Sequence, residues 1–95
     1  MDNIVLEFES VIIKEEEGGY SSLCIDLDVA SQGETIEEAK AMLVEAVEGY
    51  IEVSIEKNLS FLRPVAEIDN PVLNAPDTIV EKFKIKTDLK IHSYA

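Results

Sequence analysis

The stretch Gly33-Glu34-Thr35-Ile36-Glu37-Glu38-Ala39-Lys40-Ala41-Met42-Leu43-Val44-Glu45-Ala46-Val47-Glu48-Gly49-Tyr50-Ile51-Glu52 decides how the chain folds. Thr35 followed three residues later by Glu38 forms a capping box: the threonine oxygen takes a free amide of the first turn and the glutamate reaches back to the cap residue. A helix therefore starts at Ile36. Ile36, Ala39, Leu43, Ala46, Val47, Tyr50 and Ile51 recur at steps of three and four. Glu37, Lys40, Glu45, Glu48 and Glu52 fill the opposite side, so one face packs and the other is solvated. The pattern weakens after Val53 and ends near Asn58, about six turns in all. Gly49 is a mild internal weakness, about 1 kcal/mol against alanine.

The residues before the helix read as strands. From Ile4 to Lys14, Ile4, Leu6, Phe8 and then Val11 to Ile13 alternate and cluster as a half-buried strand does, with Glu7 and Glu9 on the other face. Glu15-Glu16-Glu17-Gly18-Gly19 joins solvated charge to residues free to take positive φ, as a hairpin requires. Tyr20 to Leu27 is the returning strand, and Asp28 to Gly33 is long enough only for a third short strand or a loop. After the helix, Pro64, Pro71 and Pro76 stop residues 59–78 from continuing it, so they form a connection wrapped over the surface. At the end, Phe83, Ile85, Thr87, Leu89 and Ile91 share one face of a strand, and Lys82, Lys84, Lys86, Asp88 and Lys90 the other. The order β-β-β-α-β predicts a two-layer α+β fold over residues 1–95, an antiparallel sheet with one packed helix. The sheet's other face is left to water or to a second copy.

Ninety-five residues support one core, and 46 % apolar with 29 % charged residues is globular composition. The net charge of −12 is uneven, because residues 1–78 hold four basic and eighteen acidic side chains, whereas residues 79–95 sum to +2. Such a field repels nucleic acid and draws basic proteins, although acidity also simply keeps small proteins soluble. The start of the chain lacks the basic region of a signal peptide and no run reaches membrane-spanning length, so a cytoplasmic location is expected.

Chemistry-bearing patterns are sparse. His92 is the only histidine and Cys24 the only cysteine, far apart in sequence; Cys24, between Leu23 and Ile25, reads as a buried strand thiol. Glu15 to Glu17 point in different directions and read as a solvated turn rather than a metal site. Asp26 and Asp28, two apart, imitate paired catalytic carboxylates, but turn and cap roles at a strand end fit them better. The glycines lack phosphate-loop spacing. The stripe Lys82, Lys84, Lys86, Lys90 reads as edge protection before it reads as a phosphate contact. No catalytic residue, metal or cofactor is expected, and a non-enzymatic binding protein is.

Gly18-Gly19-Tyr20, then Leu27-Asp28-Val29-Ala30-Ser31-Gln32-Gly33-Glu34-Thr35-Ile36-Glu37-Glu38-Ala39, then Glu45-Ala46-Val47-Glu48 and Tyr50-Ile51-Glu52 resemble the HicB-like antitoxin family over residues 18–52. The resemblance departs at Ile25, where the family commonly has proline, and at Met42, where asparagine is frequent. It implies a β-β-β-α-β domain of partly double-stranded-RNA-binding-like arrangement that self-associates as a homodimer or higher homo-oligomer. It also implies neutralisation of a small basic HicA-type toxin that cleaves RNA. Asp26, Asp28, Glu34 and Glu37, around the segment that precedes the helix, are the expected partner-binding residues. The helix-turn-helix or ribbon-helix-helix module that full-length members often add is not legible, so DNA binding is not expected. The alternative reading is an orphan self-associating scaffold or regulatory module without a toxin.

Overall fold

The structure is a computed structural model describing the backbone of residues 2–91 and the side chains of residues 5–87. The four strands are β1 (Asp2–Lys14), β2 (Tyr20–Cys24), β3 (Val29–Gly33) and β4 (Ile79–Ile91), and the long helix α1 (Ile36–Glu56) follows β3. They form one antiparallel sheet in the order β3-β2-β1-β4, so the expected α+β fold with its β-β-β-α-β order is observed.

The first hairpin closes where the glycines require it. Gly18 and Gly19 both take positive φ, and the Gly18 amide donates to the Glu15 carbonyl. The turn from β2 to β3 uses Asp28 with φ of 53°, a conformation that short polar side chains tolerate. Thr35 caps α1 by accepting the Glu38 amide at 3.0 Å, while the Glu38 carboxylate accepts the amide of Glu34 at 3.1 Å. The helix stops where Asn58 turns left-handed and the Leu59 amide donates to the Ser54 carbonyl at 2.7 Å.

Helix α1 sits on the sheet face formed by the even-numbered residues of β1 and β2. Phe8, Cys24, Leu27, Leu43, Val47, Ile51 and Ile85 make the core cluster, with Val29, Phe83 and Tyr50 packed against it. β1 and β4 are paired from Asp2↔Ile91 to Ile13↔Ile79, whereas β2 joins β1 only from Ser10 onward. The first eight residues of β1 therefore run with β4 as a two-stranded ribbon beyond the β2–β3 half.

The opposite sheet face is more covered than alternation alone implies. Val11 lies on it, yet is 1 % exposed. The proline-broken connection is tied to the end of β2: the Arg63 and Val65 amides donate to the Asp26 and Ile25 carbonyls, and the chain re-enters the sheet at Ile79 beside Ile13. The connection is not featureless, because single turns at Glu67–Asp69 and Pro76–Thr78 flank the short helix α2 (Pro71–Asn74), capped by Asn70 Oδ1 accepting from the Val72 amide at 2.9 Å. Proline at the first position of α2 and of the last turn suits the start of these pieces, where its missing N–H costs no helical bond. β4 begins four residues before the alternation from Phe83 announces it, because Glu81 and Lys82 pair with Ile12 and Val11, and Ile79 pairs with Ile13 after a register shift.

Candidate partner-binding surface

The four expected partner-binding acids fall into two pairs rather than one cluster. Asp26 and Asp28 stand in the turn entering β3, and Glu34 and Glu37 follow its exit. The five residues of β3 separate the pairs by roughly 16 Å, at about 3.3 Å per residue. The acids thus bracket the outer edge of β3. Asp28, Glu34 and Glu37 are exposed, whereas Asp26 is half-buried and its Oδ2 accepts the Glu9 amide at 2.7 Å. That carboxylate ties the β2–β3 turn to β1, a structural duty that its sequence neighbours gave no sign of.

Between the pairs, the two faces of β3 differ. Val29, Ser31 and Gly33 lie towards the helix, as their register with Cys24, Ser22 and Tyr20 requires, and Ala30 and Gln32 lie exposed on the far side. Gly33 is where helix and strand come closest: a Cβ there would stand 2.5 Å from the Ala39 amide nitrogen. Above this strand, a flank of α1 carries Met42, Ala46, Gly49 and Val53, spaced by four, three and four residues and so aligned along one side. Met42 and Val53 are 45 % and 49 % exposed, and a Cβ at Gly49 would meet nothing within 4 Å. Sequence periodicity assigned Ala46 to the packed face and treated Gly49 as a weakness; the stripe lies at the border of that face, with Ala46 half-buried and Met42, Gly49 and Val53 exposed.

Met42 also lines a shallow groove with Glu15, Gly18, Gly19, Gln32, Gly33 and Glu38 at the hairpin end of β3. Two of its carboxylates are engaged locally, Glu15 accepting from the Ser21 hydroxyl and Glu38 from the Glu34 amide; Glu34, which also lines it, is exposed. On the other flank of α1, Lys40 reaches Glu81 of β4 and lies over the Phe83 ring, 5.0 Å from its centroid, while further along Ile55 is exposed.

The lysine stripe behaves as the alternation predicts. Lys82, Lys84 and Lys86 are exposed on the face opposite α1, on edge strand β4, where Lys84 lies 3.8 Å from Glu7 and 3.7 Å from Glu9, and Lys86 lies 3.7 Å from Glu7. The side chain of Lys90 and the whole of His92 lie outside the described residues. Cys24 is fully buried, and burial pushes its thiol above the ordinary value, opposed in part by hydrogen bonding with Ser10. Among the described residues no group of three histidine, cysteine, aspartate or glutamate side chains is arranged to hold a metal ion. Likewise no helix of the described residues is long and apolar enough to cross a membrane.

These features define a two-layer α+β domain with one lysine-bearing sheet edge and one uncharged edge bracketed by acids. Comparison of the chain with protein-family profiles, with curated proteins and with solved structures finds no match.

Proposed function

We propose that the chain is an antitoxin-like, non-enzymatic inhibitor that works in the cytoplasm by binding a small basic toxin of the HicA type, which cleaves RNA. The observation that carries this reading is the division of charge: exposed acids bracket β3 and line the outward side of α1, while lysines gather on β4, where Glu7 and Glu9 partly neutralise them. A basic partner is attracted to the first region and gains little at the second. The resemblance over residues 18–52 supports the same reading, and each of its elements has a physical role in the fold. Gly18 and Gly19 turn the hairpin, Gly33 admits the helix, and Thr35 with Glu38 caps it.

The test is co-expression. A small basic reading frame adjacent to the gene, containing one histidine near its middle, is induced in a host with and without this chain, while growth and messenger-RNA integrity are followed. Growth arrest with RNA cleavage, relieved by the chain, is the expected result. Arrest without relief, or a neighbouring product that has no effect on RNA, overturns the reading.

A second reading, the self-associating scaffold without a toxin, is favoured by one feature. Leu59, Leu62, Ile68 and Leu73, all in the connection after α1, are 60 % or more exposed. Large apolar side chains in that number are ordinarily covered by something. Sedimentation of the isolated chain separates the readings: a stable homo-oligomer in cells that hold no toxin-like partner favours the scaffold.

A further inference from the structure

We propose that β3 is a docking edge, at which an extended segment of a basic partner protein adds as a fifth strand and rests its helix-side residues on Met42, Ala46, Gly49 and Val53. The sign of the partner's charge rests on the inhibitor reading; the surface and the mode of contact go beyond it.

The two ends of the sheet are treated differently. An edge strand offers unpaired amides and carbonyls to any passing chain, and charged side chains, especially lysines, are a usual defence. β4 has that defence at Lys82, Lys84 and Lys86. β3 reads Val29-Ala30-Ser31-Gln32-Gly33, with no charge and no proline, and among the described residues no further strand pairs with its outer side. Its five residues suit a partner strand of similar length, and main-chain bonds of that kind give affinity while side-chain pockets on alternate positions give selectivity.

The helix is placed as though such a strand belonged there. α1 packs chiefly on β3 and then β2, and hardly on β1, so it lies over the edge of the sheet rather than its middle. The flank overhanging that edge is the stripe of Met42, Ala46, Gly49 and Val53. A strand added about 4.8 Å beyond β3 lies beneath this overhang. Gly49 leaves space for an incoming side chain, and Met42, unbranched and polarizable, adapts to what arrives.

Charge chooses the occupant. Two copies joined antiparallel through β3 about Ser31 would set Asp28 of each beside Glu34 of the other. Like charges directly opposite are unfavourable in a sheet. A basic segment meets the same carboxylates as partners.

The experiment uses the whole chain and two defined probes, the capped hexapeptide of alternating lysine and valine and its glutamate–valine counterpart. Amide hydrogen exchange and chemical shifts are followed by NMR on titration. The expected result is new protection confined to β3 amides with the basic peptide, and at least tenfold weaker binding of the acidic one. Ala30→Lys, which gives β3 the defence of β4, and Gly49→Gln, which fills the shelf without changing charge, each weaken the basic peptide at least tenfold while circular dichroism shows the fold intact. Protection at β4 instead, protection scattered over all acidic surfaces, or full affinity in both variants overturns the proposal. So does a dimer in which β3 amides are already protected before peptide is added. If a toxin is neutralised in cells while β3 stays unprotected in that complex, the inhibitor reading stands and the edge fails. If the peptide adds at β3 but no RNA-cleaving partner is neutralised, the edge stands and the inhibitor reading fails.

Discussion

Adding one methyl group at Gly33 and the same group at Gly49 should move stability in opposite directions. At Gly33 the new Cβ would lie 2.5 Å from the Ala39 amide nitrogen, 2.8 Å from the Glu38 carbonyl carbon and 2.9 Å from the Ala39 Cα, all backbone atoms of the first helical turns. To restore an ordinary 3.4 Å contact, the helix must retreat by about 0.9 Å, taking Leu43 and Val47 with it out of a core in which both are fully buried. Overpacking of this kind costs about 1–3 kcal/mol. At Gly49 the methyl enters open space in the middle of α1, and replacing glycine by alanine in an exposed helix interior contributes about 1 kcal/mol. For a domain of this size 1 kcal/mol corresponds to about 4–8 °C in Tm. Gly33→Ala should therefore melt at least about 4 °C below the parent and Gly49→Ala about 4–8 °C above it, read by circular dichroism with a urea titration to check that the m-value is unchanged. A neutral Gly33→Ala refutes the close seating of helix on strand, and a destabilising Gly49→Ala refutes the open flank on which the β3 docking surface depends.

Three further outcomes follow from individual side chains. Asp26→Ala removes the acceptor of the Glu9 amide and should cost about 1–2 kcal/mol, as charge-assisted bonds of this kind do, whereas Glu34→Ala should stay within about 0.5 kcal/mol; equal effects in urea unfolding would remove the distinction between the two acids. Thr35→Ala deletes the cap that accepts the Glu38 amide and should cost about 1 kcal/mol, with Thr35→Ser recovering most of it, again by urea unfolding. Cys24 should resist a thiol reagent at neutral pH in the folded protein and react at once in denaturant. Because the folded thiol holds its proton more tightly than the unfolded one, its contribution to stability is complete below the ordinary value of 9.0 and is lost as pH rises above it. Rapid labelling of native protein at neutral pH would show that the thiol is not buried as described.

How much of this could be read from the residues depends on whether the signal was local. The capping box, the two turn glycines and the alternation of β1 and β4 act within a few residues, and the helix begins at Ile36 as Thr35 and Glu38 dictate. The connection was legible only as something other than a helix, since its course is held by bonds to Ile25 and Asp26, nearly forty residues earlier. Asp26 looked like any turn acid because its partner, the Glu9 amide, is seventeen positions away. The acids named as partner contacts were legible as charge, but not as two groups at opposite ends of one strand. The stripe of Met42, Ala46, Gly49 and Val53 was hidden for a different reason. Helical periodicity shows which residues share a side, yet whether a border residue is covered depends on where the sheet stops beneath it, and that is set by strand order.

The uneven charge has a consequence that composition could not supply. Exposed ion pairs such as Lys84 with Glu7 and Glu9 contribute little to stability, at most about 1 kcal/mol each. Their larger effect is on the field: they cancel acidity on the β4 side and leave that of the β3 side uncompensated. If β3 is the docking edge proposed above, Lys82, Lys84 and Lys86 on the far face of β4 would serve two ends at once, closing one edge to strand addition and directing a cationic partner to the other. On this account, reversing Lys84 to glutamate should leave the fold in place and change the association rate of a basic partner only slightly, because the acids near β3 already steer it. Reversing Glu34 and Glu37 together to lysine should slow association severalfold at low ionic strength and hardly at all at high, where exposed charges more than about 10 Å apart no longer sense one another.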